Sequence, residues 1–288
     1  MPELPEVHTT VEGLKGVVIG KTIKDVWSDF YVGSKYNDRQ NIKNKKYFEK
    51  FSQIVKNSKI KSIERRGKNI LINLNNNYTI VVHMKMTGCL MYKKDFSDEK
   101  YIHLIFTLSN GHYLLLSDLR KFASVTISKT GEISLHDTLG KLGIDPFDPG
   151  LNAKKLFEII HLKKNWPIKS SLLDQNSIAG IGNIYSDEIL WQTSIHPASK
   201  SEKIPAKKFA EIFGAMQTIL KLSIKHGGDS KSDYRNAFGE KGGFQNFHKV
   251  YGKKGAQCPK DKCRGIIERM VIKGRSAHFC PKHQIKYD

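Results

Sequence analysis

The chain changes its apolar pattern once, near residue 140, and that change constrains its fold more than any other feature. From about residue 60 to 136 the apolar residues fall in short runs rich in branched and aromatic side chains. These are Ile70 to Leu74, Tyr78 to Met86, Tyr101 to Leu108, His112 to Ser117 and Ala123 to Ser128. Asn75-Asn76-Asn77, Ser109-Asn110-Gly111 and Lys129-Thr130-Gly131 separate them with turn chemistry, which predicts an antiparallel sandwich or barrel. A short helix should precede it, because Val7, Val11 and Leu14 recur at helical spacing behind Pro5. Gly140 to Gly150, with Pro146 and Pro149, reads as a linker. Beyond it the spacing is helical at Leu156, Ile159 and Ile160, at Leu172 and Leu173, at Ile184, Ile189 and Leu190, and from Phe209 to Leu220. These stripes read as core faces. From His226 to Gln245, five glycines and few apolar side chains predict a long mobile loop. The expected fold class is α+β in two domains, as 288 residues allow. A β-sandwich domain spans 1–136, a linker 137–150, a helical domain 151–245 and a ribbon 246–288.

Charge points to the partner. Forty-eight Lys and Arg outnumber 28 Asp and Glu, for a net charge of +20. Residues 241–288 alone hold 12 basic and 3 acidic side chains. That density suits phosphate neutralisation with counterion release, and solubility alone is the competing account. No apolar run approaches the roughly 18 residues of a membrane helix, so no membrane is expected as partner. The start Met1-Pro2-Glu3-Leu4-Pro5-Glu6-Val7 carries acids where a secretory signal carries positive charge, which points to the cytoplasm.

Three of the four cysteines lie close together: Cys258 and Cys263 in a C-x4-C pair, then sixteen residues, then Cys280 and His283 in C-x2-H. Paired sulfur and nitrogen ligands across such a hairpin suit one tetrahedral structural zinc ion better than a disulfide framework. Four protein ligands leave no open coordination position, so the metal should hold the fold and not do the chemistry. His278 is an alternative to His283, but only His283 shares a knuckle with Cys280. Cys89 reads as a small core residue.

Three further segments stand out. Gly180 to Glu188 places small residues at a helix entrance, where backbone amides and the dipole favour an anion. Arg65-Arg66-Gly67-Lys68 precedes a strand, and Gly274-Arg275-Ser276 lies at the expected tip of the ribbon hairpin. Together with the start, His83 to Gly88, Asp118 to Phe122, Leu142 to Pro146, Leu173 to Glu188 and Gly242 to Gly252, these segments resemble the formamidopyrimidine-DNA glycosylase and endonuclease VIII family of base-excision repair enzymes. The resemblance runs from residue 2 to 283. Pro-Glu-Leu-Pro-Glu-Val and Gly243-Phe244-Gln245 are more similar to the formamidopyrimidine branch.

The resemblance implies a two-domain clamp: an N-terminal β-sandwich flanked by helices, a helix-two-turn-helix domain with a lesion-capping loop, and a zinc ribbon, with damaged double-stranded DNA in the cleft and monomeric action. It implies removal of oxidised purines and cleavage of the abasic site by β- and δ-elimination. Once Met1 is removed, Pro2 is the expected nucleophile, since an α-amino group titrates near pH ~8. Glu3 is carried over as proton donor, Glu6 as a second carboxylate near the site, with a first-turn helix residue favoured by the dipole as its alternative, and Lys68 and Arg275 as catalytic cations at the lesion phosphates. Asn183, Tyr101 and Lys169 are carried over as DNA contacts, and Met86, Arg120 and Phe122 as the wedge that fills the hole left by a flipped base. The chain departs from the family pattern in C-x4-C, in His283 for cysteine, in Tyr101 for histidine, and in Asp229 to Tyr234 of the glycine-rich loop. An oxidised-pyrimidine glycosylase of the endonuclease VIII type and a non-catalytic nucleic-acid-binding module are the competing functions.

Overall fold

The computed structural model describes residues 1–32 and 40–288. Two compact units result, Met1–Gly140 with His226–Gly243, and Lys141–Lys225 with Phe244–Asp288. In the first, helix α1 (Leu4–Val18) leads into β1 (Ile23–Ser28), α2 (Lys45–Val55), β2 (Ile60–Arg66), β3 (Asn69–Leu74), β4 (Tyr78–His83), β5 (Gly88–Lys93), β6 (Ile102–Leu108), β7 (Tyr113–Asp118) and β8 (Ser124–Lys129). The strands form two four-stranded antiparallel sheets, ordered β1-β6-β7-β5 and β2-β3-β4-β8. Apolar side chains of both sheets and both helices share one core, including Val7, Val11, Phe51, Ile72, Val82 and Phe106. Helix α1 starts where it does because Glu3 and Glu6 form a reciprocal capping box, with Pro5 in the first turn. Its buried Leu4, Val7, Val11, Leu14 and Val18 follow the helical period and turn one face to the core.

The expected run from Tyr78 to Met86 divides. Strand β4 stops at His83 because the chain turns through Met84–Gly88 before pairing again as β5. Strand β1 and helix α2 were not expected. A register shift between Ile23 and Asp25 breaks the alternation of β1, and α2 fully buries only Phe51 and Val55 among polar neighbours.

The second unit holds α3 (Ala153–His161), α4 (Ile168–Leu173), α5 (Asn183–Gln192), α6 (Lys208–Lys225) and the antiparallel hairpin β9 (Glu268–Ile272) and β10 (Arg275–Phe279). The turn between α4 and α5 is organised by Gln175. Its amide donates to the Leu173 and Ile181 carbonyls, both at 2.8 Å, and accepts from Gly180 N at 2.9 Å. Gly180 has φ +105°, open to glycine at little cost. Lys273 (φ 45°) and Gly274 (φ 75°) make a two-residue hairpin loop of the kind that matches strand twist, which sets Arg275 opposite Ile272.

The glycine-rich loop differs from expectation. Residues His226–Gly243 group with the sandwich unit and not with the helical half. The reason is hydrogen bonding: Asp229 N donates to Glu6 Oε1 (2.8 Å), Tyr234 Oη to Glu6 O (2.9 Å), and Tyr92 N to Ala237 O (2.7 Å). Without regular elements of its own, the segment is tied down by side chains of α1 and the edge of β5. Among the described residues, no helix is long and apolar enough to cross a membrane.

Candidate functional site

The start of α1 forms the first cluster. Pro2, Glu3 and Glu6 are buried, and Glu6 bridges two partners: Oε2 accepts Glu3 N at 2.7 Å and Oε1 accepts Asp229 N. The second carboxylate therefore fixes the backbone of the residue beside the expected nucleophile and the start of the glycine-rich loop together. Gly228 (φ +83°) lies so near that an added Cβ would sit 3.0 Å from Glu6 Cγ, a tight contact on a backbone that already strains any side chain. Tyr234, bonded to Glu6 O and 3.3 Å from Thr10 Oγ1, has its phenol pushed up by burial and stays neutral.

Lys68 occupies the two-residue turn between β2 and β3 and is buried. His83, at the end of β4, lies within its electrostatic reach. Burial, then Lys85, then Lys68 hold the imidazole neutral and push its pKa down to about 3. Its Nδ1 accepts Lys85 N at 3.0 Å. Composition could not mark His83 as part of this cluster, and only the turn after β4 reveals it. The sign of the linkage is definite. Below the ordinary pKa of about 6.5 the unfolded chain takes up a proton that the folded chain refuses, so stability falls as pH drops toward 3. The slope from this group is at most about 1.4 kcal/mol per pH unit. His83→Gln should flatten the fall between pH 6 and 4, measured by urea unfolding of variant and wild type side by side.

Met86, Arg120 and Phe122 come together. The Arg120 guanidinium lies 4.4 Å from the Phe122 ring centroid, and its Nη1 is 3.5 Å from Met86 Sδ. Met86 is 44% exposed and Phe122 40%, so two large apolar groups stand in solvent beside a cation. Tyr101 is exposed with φ 58°, and its carbonyl accepts Asp118 N at 2.9 Å.

In the second unit Arg275 is exposed at the base of the hairpin turn. Asn183 opens α5 and donates through Nδ2 to Ser276 Oγ at 3.2 Å, while its Oδ1 is buried with no hydrogen-bond partner among the described residues. Lys169 differs from the expectation of a direct DNA contact. It is fully buried, its ammonium ion-paired with Asp187 and donating to the Ser276 carbonyl at 2.6 Å. The other Asp187 oxygen accepts His278 N at 2.9 Å and sits 3.0 Å from His278 Nδ1. Lys169 and Asp187 thus clamp the strand that carries Arg275, and His278 is committed to that clamp and not to the cysteines. Asp187→Ala should strand a buried ammonium and destabilise the unit by about 3–5 kcal/mol, read from its unfolding midpoint. Glu188 is a second residue the sequence did not single out. Its carboxylate accepts the backbone N–H of Lys249, Val250 and Tyr251 at 2.9, 3.0 and 2.8 Å.

Cys258, Cys263, Cys280 and His283 converge, their four ligand atoms all within 4.8 Å of one another. Cys263 and Cys280 Sγ are 3.7 Å apart, close to the roughly 3.8 Å edge of a tetrahedron with 2.3 Å metal–sulfur bonds. His283 Nδ1 lies 3.3 Å from Cys258 Sγ, while Nε2 faces the Trp191 carbonyl at 3.2 Å, which fixes the ring and leaves Nδ1 for a metal. The Gly265 N–H pulls the Cys263 thiol down, burial pushes Cys280 up to about 11, and burial keeps His283 neutral. A Cβ on Gly265 would come within 2.5 Å of Cys280 Sγ, so glycine is required to bring the knuckle this close. The donor set fits a metal ion.

Comparison with known proteins matches this arrangement. The family model for the formamidopyrimidine-DNA glycosylase N-terminal domain matches residues 1–125, and that for the formamidopyrimidine-DNA glycosylase H2TH domain matches 142–235. The formamidopyrimidine-DNA glycosylase of Bacillus anthracis is 38% identical over 282 residues, 98% of both chains. The structure is similar to Lactococcus lactis Fpg bound to an abasic site containing DNA, with TM-score 0.85, 29% identity, and coverage of 97% of this chain and 98% of that one. It is similar also to a Lactococcus lactis FPG mutant bound to a Fapy-dG containing DNA, with TM-score 0.84, 29% identity and the same coverage. With both domain models matched in order and a relative this similar over nearly its whole length, the chain belongs to the formamidopyrimidine-DNA glycosylase family.

Proposed function

We propose that this protein is a base-excision repair glycosylase that removes oxidised purines, formamidopyrimidine and 8-oxoguanine, from duplex DNA and then cleaves the abasic site. The observation that carries this reading is the near-full-length likeness to proteins of that name, one of them bound to Fapy-dG DNA and another to abasic-site DNA.

The residues support the chemistry as follows. With Met1 removed, the secondary amine of Pro2 attacks C1′ of an everted nucleotide, and the damaged base leaves with the bonding pair of the C1′–N bond. Eversion is required because C1′ is inaccessible in the stack. Glu3 protonates the sugar ring oxygen as the ring opens, a contribution of about 10²–10⁴-fold. The resulting iminium acidifies C2′–H, whose loss expels the 3′ phosphate in β-elimination, and loss of the 5′ phosphate follows in δ-elimination. Lys68 and Arg275 neutralise the phosphates at the lesion, and Asn183 adds a contact from the start of α5. Tyr101 serves as a further backbone contact. Lys169 acts through the strand carrying Arg275. The zinc ion would be held by Cys258, Cys263, Cys280 and His283, where it supplies structural rigidity only, since four protein ligands complete its shell. The protein acts as a monomer, cytoplasmic and nucleoid-bound when on DNA.

Borohydride trapping tests the reading. A formamidopyrimidine or 8-oxoguanine duplex should become covalently joined to the protein, with the adduct mapped to the Pro2 nitrogen. A thymine glycol duplex should be trapped much more slowly. Absence of any adduct with all three would leave a non-catalytic binding module as the better account, and preference for thymine glycol would leave the pyrimidine-directed enzyme.

A further inference from the structure

The exposed wedge residues stand on two separate turns, and a single buried carboxylate joins them. Met86 rides on the turn Met84–Gly88, closed by Gly88 N donating to Met84 O at 3.1 Å. A Cβ on Gly88 would collide with that same carbonyl, so the turn can be this tight only with glycine. Arg120 and Phe122 ride on the turn after β7, where Lys121 N donates to Asp118 O at 3.1 Å. Each turn contains one lysine in the left-handed region, Lys85 (φ 55°) and Lys121 (φ 51°), next to the side chains it sends outward. Neither turn has regular backbone pairing of its own to hold large apolar groups in solvent.

Asp118 joins the two turns. It is fully buried at the end of β7. One carboxylate oxygen accepts the Thr87 hydroxyl and, at 3.3 Å, the Arg120 N–H. The other accepts Ala123 N at 2.6 Å, closing the second turn from its far side. Thr87, the residue after Met86, also takes the Arg120 N–H at 3.3 Å, so the amide of one wedge residue is shared between the two turns. Hydrogen bonds to a buried charge are the stronger kind, and they fix both turns to one group.

We propose that Asp118 and Thr87 are positioning residues for base eversion: together they lock the Met86 turn to the Arg120–Phe122 turn, so that the wedge enters the DNA stack as one rigid body. This rests on the glycosylase reading and on the wedge role of the three side chains. A wedge whose halves move independently must be ordered at the moment of insertion, which weakens it without touching the reacting atoms. The cost falls on substrates whose base must be unstacked, and not on an abasic site, where no damaged base has to leave the helix.

The test compares wild type, Thr87→Val, Thr87→Ser and Asp118→Asn under single-turnover conditions. One substrate is a duplex with formamidopyrimidine opposite cytosine, and the other is the same duplex with a preformed abasic site. Thr87→Val should slow base release about tenfold, with strand cleavage at the abasic site changed by less than about twofold. Thr87→Ser, which keeps the hydroxyl, should restore base release. Asp118→Asn should show the same pattern with a larger loss, and Thr87→Val keeps the question open to test if that variant fails to fold. Equal slowing on both substrates, failure of Thr87→Ser to restore the rate, or Thr87→Val at wild-type speed on both would overturn the inference. Wild type inactive on both substrates would overturn the glycosylase reading instead.

Discussion

Glu3→Gln is expected to slow release of the damaged base by about 10²–10⁴-fold while sparing much of the strand cleavage at a preformed abasic site. The asymmetry follows from the chemistry assigned to the carboxyl. When the base is still attached, the sugar ring must open in the same sequence that forms the iminium, and a positioned proton donor lowers that barrier. A preformed abasic sugar already equilibrates with its open aldehyde, so the Pro2 amine can condense with it without that donor. Gln keeps the size of the buried side chain and the N-cap position of α1, and Glu6 still receives the backbone N–H of residue 3, so the fold should survive. Base release by chromatography and strand cleavage by gel, on the two substrates in parallel, read the difference. Equal loss in both reactions would mean that residue 3 serves the helix start and not the proton transfer. Full activity in a chain that retains Met1 would contradict the nucleophile itself.

Loss of the proposed zinc ion should have the largest effect on stability. A structural zinc site contributes on the order of 10–16 kcal/mol of apparent binding energy in small finger peptides. Beyond the buried Lys169–Asp187 pair and the Glu188 carboxylate, the ribbon has only a small core of its own. Its apolar cluster is small, built from Trp191, Val250, Cys258, Ile267 and Cys280, with two of the ligand cysteines among its members. A two-stranded hairpin without further support is marginal in water. Cys280→Ser should therefore abolish stoichiometric zinc and lower the unfolding midpoint of the second unit. It should also weaken DNA binding by releasing Arg275 from its place beside the hairpin turn. The salt dependence of binding should lose about one phosphate's worth of slope, the signature of a displaced cation. Zinc content by elemental analysis, urea unfolding and titration at several salt concentrations check the three parts. Unchanged zinc after this substitution would break the ligand assignment, because Cys263 and Cys258 with His283 leave only three donors.

Much of the fold was legible in residue order. Short branched and aromatic runs with Asn-rich turns between them marked five of the eight sandwich strands, and the stripes at Leu156, Ile189 and Phe209 to Leu220 marked helices. The spacing of Cys258, Cys263, Cys280 and His283 named a ligand set whose four atoms the structure brings together. Strand β1 was hidden by its bulge and α2 by the polarity of its exposed face, since periodicity is readable only where burial is one-sided.

Sequence alone determined which kinds of side chain are present and how far apart they lie along the chain. That was enough to specify hydrophobic pattern, turn chemistry and metal-ligand spacing, because each of these is a local property. Only the tertiary structure decided what each buried charge does. Lys169 looks like one more cation in a basic chain, yet its ammonium is buried against Asp187 and the carbonyl beside Arg275. Glu6 turns out to tie α1 to a loop more than two hundred residues away, and Asp118 joins two turns that the sequence lists separately. The physical reason is the same in each case. A carboxylate or ammonium removed from water must find partners, and those partners are chosen by packing in space, not by position along the chain.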